Sequence, residues 1–253
     1  MERRILSTLK QIENQHGVRI LFAVESGSRA WGFASTDSDY DVRFVYKRPV
    51  RDYMRVSLPR DVIEQPIVDD LDVNGWDLPK TMRLFRKSNP SLMEWLFSPV
   101  VYLERETFAG RLREWVHQHY SLHRLTSHYL SMAGGNFRTH LQGESEVRLK
   151  KYLYVLRPLV CIRWVEQQMG PPPTSIWATL EGVELPVAVR SSLVELLHRK
   201  MEADELGTGS PNPSLHDFIQ SELDRIPEAI THLPHRNPPE PSLDELVWTE
   251  LGI

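Results

Sequence analysis

The chain is poor in cysteine and lacks both a long apolar run and an excess of positive charge. Its 253 residues include one cysteine, Cys161, which excludes an internal disulfide and a zinc site built from several cysteines. No apolar run reaches the roughly 20 residues that span a bilayer, and nothing resembles a signal peptide. We therefore expect a cytoplasmic protein with no membrane partner.

The charge balance also restricts the class of protein. The sequence carries 30 Lys and Arg against 34 Asp and Glu, for a net charge of −4. That balance gives no global signal for nucleic-acid binding, so an RNA site would require a local basic patch. With 41% apolar and 25% charged residues, the composition is that of a soluble globular protein of one large or two small domains.

One stretch combines a buried strand, a Gly-Ser pair and an Asp-x-Asp strand. The run Val18–Val24 is short, apolar and rich in branched residues, which is typical of a buried strand. Gly27 and Ser28 follow it. The alternating run after them predicts a second strand with Asp39 and Asp41 on the same face, about 7 Å apart along the chain.

The residue types in this stretch indicate a phosphate and metal site. Two carboxylates that close repel each other unless a cation lies between them, and hard oxygen ligands suit Mg²⁺. Gly27 lets backbone N–H groups approach an anion, and Ser28 adds a hydroxyl donor. One nucleotide bridging the two halves would complete the site. The alternative is an ordinary Gly-Ser turn followed by an exposed Asp-x-Asp turn.

At these residues the sequence resembles the DNA polymerase β-type nucleotidyltransferase superfamily, whose signature is a Gly-Ser pair, a spacer and Asp-x-Asp on the next strand. Further segments resemble one bacterial branch, the predicted nucleotidyltransferases associated with RNA repair pathways. These segments are Glu25–Phe33, Trp76–Leu78, Lys87–Pro90, Glu94–Leu96 and Lys150–Pro158. The resemblance runs from about residue 1 to about residue 180.

The resemblance implies an α+β fold. Residues 1–103 would form a polymerase-β-type α/β catalytic domain, a small mixed sheet with helices. Residues 104–253 would form an all-α domain that binds substrate or nucleotide, because the pattern from about residue 104 is helical almost throughout. Helices are predicted at about 105–119, 121–133, 145–169, 186–203 and 214–223.

A third carboxylate is usual in this superfamily, and two residues are candidates. Asp72 lies on the polar face of a third predicted strand, Ile67–Val73. Asp77 directly precedes Leu78-Pro79, where a helix begins, and an Asp before Pro is typical of a helix N-cap. We assign the chemistry to Asp72 and the cap to Asp77; an exposed strand-end role for Asp72 stays open.

A cationic stripe lies on an otherwise apolar segment, residues 147–165, which predicts a buried helix. Lys150, Tyr154 and Arg157 share one face of that helix. Buried positive charge requires water, a carboxylate or an anionic ligand. We interpret the stripe as a binding face for triphosphate or RNA phosphate, turned toward the Asp pair. The alternative is a structural ion-pair network with acidic residues of the first domain.

Together with these patterns, the resemblance implies a bacterial Mg²⁺-dependent nucleotidyltransferase. The resemblance implies that Asp39, Asp41 and Asp72 hold two Mg²⁺ ions, with Mn²⁺ as a substitute. Gly27, Ser28 and Arg29 would contact the NTP, together with the stripe.

The acceptor is predicted from the family association alone. It would be an RNA end, to which a nucleoside monophosphate is added during RNA repair. One alternative is transfer of AMP to a protein hydroxyl, as in toxin–antitoxin-type members of the superfamily. Another is a non-catalytic nucleotide- or RNA-binding module, against which the intact Asp-x-Asp argues. The sequence indicates neither a preferred NTP nor an oligomeric state.

Overall fold

The structure is a computed structural model that describes residues 1–105, 107–202, 206–237 and 240–253. It contains two compact units, which we call the sheet unit and the helical unit. The sheet unit comprises Met1–Ala30, Asp39–Tyr120 and Asn237–Ile253, and the helical unit comprises Trp31–Ser38 and Ser121–Arg236. A small mixed sheet with helices, and helices toward the C-terminus, confirm the predicted α+β class. Both units are discontinuous in sequence, whereas the division at residues 103 and 104 is continuous and stays a prediction.

The sheet unit is built on a mixed sheet. Its strands are β1 (Arg19–Glu25), β2 (Tyr40–Lys47), β3 (Val62–Glu64), β4 (Leu71–Asp77) and β5 (Val101–Glu104). Their order is β3-β4-β2-β1-β5. β2 and β4 run parallel, and the other neighbouring pairs are antiparallel. The Asp-x-Asp strand therefore lies at the centre of the sheet, with β4 directly beside it.

All five helices predicted beyond residue 104 form, and the structure adds helices that were not predicted, among them Ile176–Glu181 and Glu240–Leu251. The helices are α1 (Glu2–His16), α2 (Gly27–Trp31), α3 (Val50–Tyr53), α4 (Leu78–Arg86), α5 (Pro90–Leu96), α6 (Phe108–His119), α7 (Leu122–His140), α8 (Lys150–Gln168), α9 (Ile176–Glu181), α10 (Val187–Glu202), α11 (Pro213–Ile230) and α12 (Glu240–Leu251). Within the ranges that the structure describes, no helix has both the length and the apolar character needed to cross a bilayer.

The core of the sheet unit forms where α1 packs on one face of the sheet. Ile5, Leu9 and Ile12 recur at helical spacing and are buried. They pack with apolar residues of the sheet and its connections: Val18, Ile20, Ala23, Val42, Phe44, Tyr46, Ile63, Leu71 and Val73. Val42, Phe44 and Tyr46 alternate along β2, so Asp41 and Arg43 emerge on the opposite face.

Several predicted boundaries are wrong. The strand predicted at Ile67–Val73 is β4, and it begins at Leu71 rather than Ile67. Asp69 and Asp70 adopt positive φ angles of 46° and 61°, which end the extended run before it. α7 continues to His140 instead of ending near residue 133. α8 begins at Lys150, because a two-residue strand, β6 (Val147–Arg148), pairs with β7 (Thr208–Gly209) just before it. The end predicted for the helix at 186–203 falls on residue 203, which lies outside the described residues.

The helical unit is organised around α8. Its buried residues occupy nearly every side of the helix, from Tyr152 and Leu153 to Val165, which confirms the predicted buried helix.

Candidate functional site: a carboxylate cluster on β2 and β4

The register of the sheet places two of the predicted carboxylates side by side. β2 and β4 pair in parallel with Asp41 opposite Asp72, and neighbouring strands lie about 4.8 Å apart. Both side chains are partly exposed, at 26% and 28%. Asp39 lies two residues before Asp41, just outside the strand, and is exposed. The structure therefore brings Asp41 and Asp72 together near the N-terminal ends of β2 and β4, with Asp39 just before β2.

Arg43 bridges the two aligned carboxylates. Its Nη2 donates to Asp41 Oδ1 at 2.9 Å and to Asp72 Oδ2 at 2.7 Å. Its Nη1 donates to the backbone oxygens of Asp72 at 3.1 Å and Val42 at 3.2 Å. Sequence reasoning did not single out Arg43, although the alternation of β2 already placed it on the same face as Asp41.

The electrostatics at Asp41 favour a nearby cation. Burial raises the pKa of Asp41 above its ordinary value, Arg43 opposes that rise, and the negative charges of Asp72 and Asp39 add to it. A partly buried carboxylate beside two others is costly to keep ionised unless positive charge is close. Arg43 supplies one positive charge, and a bound metal ion would supply more.

Gly27, the first residue of α2, brings the Gly-Ser pair into contact with the cluster. It has φ of +59°, and a Cβ at this position would lie 2.0 Å from Asp41 Oδ2 and 2.8 Å from its Cγ. The N–H of Ser26 also donates to the backbone oxygen of Asp41 at 2.8 Å. Ser28, next in the chain, is half-buried. A glycine is needed here because any side chain would displace the Asp41 carboxylate.

Two further residues fix the backbone around the Asp-x-Asp pair. Glu25 is buried at the end of β1, where Oε1 accepts from the N–H of Asp41 at 2.8 Å and Oε2 accepts from the Tyr102 hydroxyl. Burial raises the pKa of Glu25, and these two donors oppose the rise. Arg29 Nε donates to the backbone oxygen of Asp39 at 3.1 Å, and its guanidinium lies 3.8 Å from the centre of the Tyr40 ring. Glu25 is the first residue of the segment Glu25–Phe33, but no local pattern indicated that it holds Asp41.

Asp77 is a helix cap, as predicted. It is the N-cap of α4, and Oδ1 accepts from the N–H of Lys80 at 2.9 Å. Its side chain satisfies a helix-end donor, and burial raises its pKa. Asp72 lies in the carboxylate cluster instead, and its part in the chemistry stays a prediction.

The residue types of the cluster suit a divalent cation, but its arrangement is that of two carboxylates bridged by a guanidinium. Three carboxylates supply the hard oxygen ligands that Mg²⁺ and Mn²⁺ prefer. In the part of the chain that the structure describes, no group of three or more His, Cys, Asp or Glu side chains is arranged so that it could hold a metal ion. Arg43 occupies one oxygen of Asp41 and one of Asp72.

The predicted stripe on α8 belongs to the helical unit. Arg157 is buried at 4% exposure, with its guanidinium 4.3 Å from the centre of the Trp31 ring and Nη2 donating to Thr174 O at 3.4 Å. Tyr154 is 41% exposed, and Lys151 Nζ lies 5.3 Å from its ring centre. Arg157 thus contacts the segment between the two halves of the signature motif.

The same segment, Trp31–Ser38, has other contacts within the helical unit. Trp177 Nε1 donates to Gly32 O at 2.7 Å, and Lys200 Nζ donates to Ser35 Oγ at 2.5 Å. A hydrogen bond from Ser35 lowers the pKa of Asp37, and the charges of Lys200 and Lys150 lower it further. The stripe therefore participates in holding this spacer, and its proposed contact with nucleotide stays a prediction.

Of the comparisons with known proteins, at the level of family, relative and solved structure, the family match agrees with the motif. The sequence model of the RNA repair pathway DNA polymerase beta family matches residues 1–249. An uncharacterized protein of Bacillus subtilis, YcgL, is 44% identical over 233 residues, which cover 92% of this chain and 89% of that protein. A nucleotidyltransferase-like protein of Exiguobacterium sibiricum, known from a crystal structure, aligns over 88% of this chain and 73% of its own, with 12% identity and a TM-score of 0.32. Given the near-complete family match and the close relative in Bacillus subtilis, the chain belongs to the RNA repair pathway DNA polymerase beta family.

Proposed function

We propose that this protein is a divalent-cation-dependent nucleotidyltransferase that moves a nucleoside monophosphate from an NTP to a hydroxyl at an RNA end. One observation carries the proposal: Asp41 and Asp72 stand side by side, and Gly27 of the Gly-Ser turn packs against Asp41. Contact between a phosphate-binding type of turn and paired carboxylates suits phosphoryl chemistry. The family description supports RNA as the acceptor.

Each residue of the cluster has a proposed part in binding or orientation. Asp39, Asp41 and Asp72 would hold Mg²⁺ or Mn²⁺, and two such ions would neutralise the triphosphate and lower the pKa of the acceptor hydroxyl. Ser28 would donate its hydroxyl to a phosphate oxygen. Glu25 keeps the N–H of Asp41 occupied, so this strand end stays fixed while substrate binds.

Four more residues are proposed nucleotide contacts, and the structural support differs between them. Arg29 would add positive charge beside the turn that bears Ser28. On the helical unit, Tyr154 is exposed and Lys150 is half-buried, so both can meet a ligand. Arg157 already contacts Trp31 and Thr174, so its contribution to nucleotide binding would be made through a buried position.

The direct test is a label-transfer assay. Purified protein is incubated with each α-labelled NTP, Mg²⁺ and RNAs with defined ends, and separately with protein acceptors. We expect label on RNA. Label on protein would indicate AMP transfer to a protein instead. RNA binding without any transfer would indicate a non-catalytic module.

Matched variants assign the activity to the cluster. Asp41→Asn and Asp72→Asn should abolish transfer and leave the fold intact, because each removes one charged metal ligand. Asp61→Asn is the control, since Asp61 pairs with Lys80 and Arg83 outside the cluster. Asp77→Ala should keep activity and lower the free energy of unfolding by about 1 kcal/mol, as the loss of an N-cap does. Wild-type turnover in Asp72→Asn would contradict the assignment.

A further inference from the structure

We propose that Arg43 is a built-in counter-ion of the metal site: it occupies ligand oxygens in the metal-free protein and competes with divalent cations for them. This inference rests on the proposed function only in placing the metal at Asp41 and Asp72. It predicts that the resting protein binds metal weakly because of one residue, and that the competition can be measured without any turnover.

The contacts of Arg43 place it on the oxygens that a metal needs. A single nitrogen, Nη2, donates to one carboxylate oxygen of Asp41 and to one of Asp72. A metal ion held by Asp41 and Asp72 would have to share or replace these bonds. The Arg43 side chain is 17% exposed, so an ion from solvent can approach the bridge.

The second nitrogen explains why Arg43 would stay close after giving up the carboxylates. Nη1 donates to the backbone oxygens of Val42 and Asp72, which metal binding does not require. A guanidinium kept there remains within a few ångströms of the incoming ion and repels it. At about 5 Å in water, repulsion between a single and a double positive charge weakens binding by roughly tenfold.

Arg43 also has a reason to be present without metal. The sheet register fixes Asp41 opposite Asp72, so the backbone cannot move the two carboxylates apart without losing strand hydrogen bonds. Their repulsion would destabilise the metal-free sheet. Arg43 offsets that repulsion, and a bound metal ion would offset it as well.

The experiment is a titration of nucleotide-free protein with Mn²⁺. Binding is monitored by calorimetry and by the loss of the paramagnetic signal of free Mn²⁺. Arg43→Gln should bind Mn²⁺ about tenfold more tightly than the wild type. Arg43→Lys keeps the charge and should stay within a few-fold of the wild type. The control Arg113→Gln removes an arginine that pairs with Glu104 of β5 at 2.8 and 2.7 Å, and should leave Mn²⁺ affinity unchanged. Unchanged or weaker binding by Arg43→Gln would overturn the proposal.

Two further measurements keep the outcome decisive. In the wild type with isotope-labelled arginine, Mg²⁺ should alter the slowly exchanging guanidinium signal of Arg43; an unchanged signal at saturating Mg²⁺ overturns the proposal even if Arg43→Gln fails to fold. In melting experiments, Arg43→Gln should unfold at a lower temperature without metal and recover more than the wild type when Mn²⁺ is added. Tighter Mn²⁺ binding without label transfer would refute the proposed function and leave the role of Arg43 standing.

Discussion

At the scale of single residues, Gly27 is where the two halves of the signature motif touch. Replacing it with alanine should lower stability and also disturb Asp41. The chain offers a matched control in Gly17, whose φ of +61° is close to the +59° of Gly27 but whose added Cβ would meet nothing within 4 Å. Gly17→Ala should cost about 1–2 kcal/mol for the left-handed backbone alone. Gly27→Ala should cost clearly more, because its Cβ also collides with the Asp41 carboxylate.

Urea unfolding of the two variants measures this difference, and Mn²⁺ titration of the folded fraction reports on Asp41. Equal losses of stability in both variants would mean that the Asp41 side chain moves aside freely, and that Gly27 is not a constraint on the cluster.

Roles that follow from local sequence were predicted, and Asp72 was singled out through the third carboxylate that is usual in the superfamily, but the bridging role of Arg43 was not predicted. Asp77 was identified as a cap because Asp before a Leu-Pro helix start is a local signal. Asp39 and Asp41 were found through the motif. Arg43 was missed because its partner Asp72 is 29 residues away, and the two meet only when β2 and β4 pair in parallel. No single-sequence pattern fixes that pairing.

At the scale of helices and strands, tertiary packing gives some helices different ends from those that local sequence signals predict. Gly134 and Gly135 suggested an end to α7, since each glycine in a helix costs about 1 kcal/mol relative to alanine. The helix nevertheless continues to His140. Ala133, Gly134 and Phe137 are buried, so this part of α7 is held by packing against its neighbours. That packing outweighs the propensity.

The two cations of the stripe on α8 should behave differently on mutation. Arg157→Ala should lower the free energy of unfolding by about 2–3 kcal/mol, because it empties a buried site and removes the cation–π contact with Trp31. Lys150→Ala removes a half-buried charge and should cost less than about 1 kcal/mol. Denaturant unfolding of the two variants tests this order.

Nucleotide titrations then separate structural from binding roles. If Lys150 contacts phosphate, its alanine variant should lose NTP affinity while remaining stable. Unchanged NTP affinity in Lys150→Ala would remove Lys150 from the proposed nucleotide contacts, and would leave the stripe as a support for the Trp31–Ser38 spacer.

At the scale of the whole molecule, the sheet unit includes residues from both ends of the chain. Lys47 donates to Glu250 O and lies 3.7 Å from its Oε2, and the Glu250 side chain is buried. The sequence could not predict this pairing, because the C-terminal helix carries no signal for which helix or strand it will pack against. A continuous domain division was the natural expectation.

Neutralising this pair should destabilise the sheet unit. Glu250→Gln leaves the largely buried Lys47 without its counter-charge, and should cost about 1–3 kcal/mol, the range for a buried polar group that loses its partner. Glu245→Gln, on the exposed side of the same helix, is the control and should be close to neutral. Thermal melting of both variants gives the comparison; equal melting temperatures would show that the C-terminal helix contributes little through this pair.

The discontinuous sheet unit has a consequence for how the protein is made. During translation, β1, β2 and α4 leave the ribosome early, whereas α12, which packs against α4, emerges only after residues 121–236 have been synthesised. At a synthesis rate of about 5–20 residues per second, α12 emerges on the order of ten seconds after the other elements of the sheet unit. Throughout that interval the apolar surface that α12 will cover is open to chaperones and to other nascent chains on the same polysome.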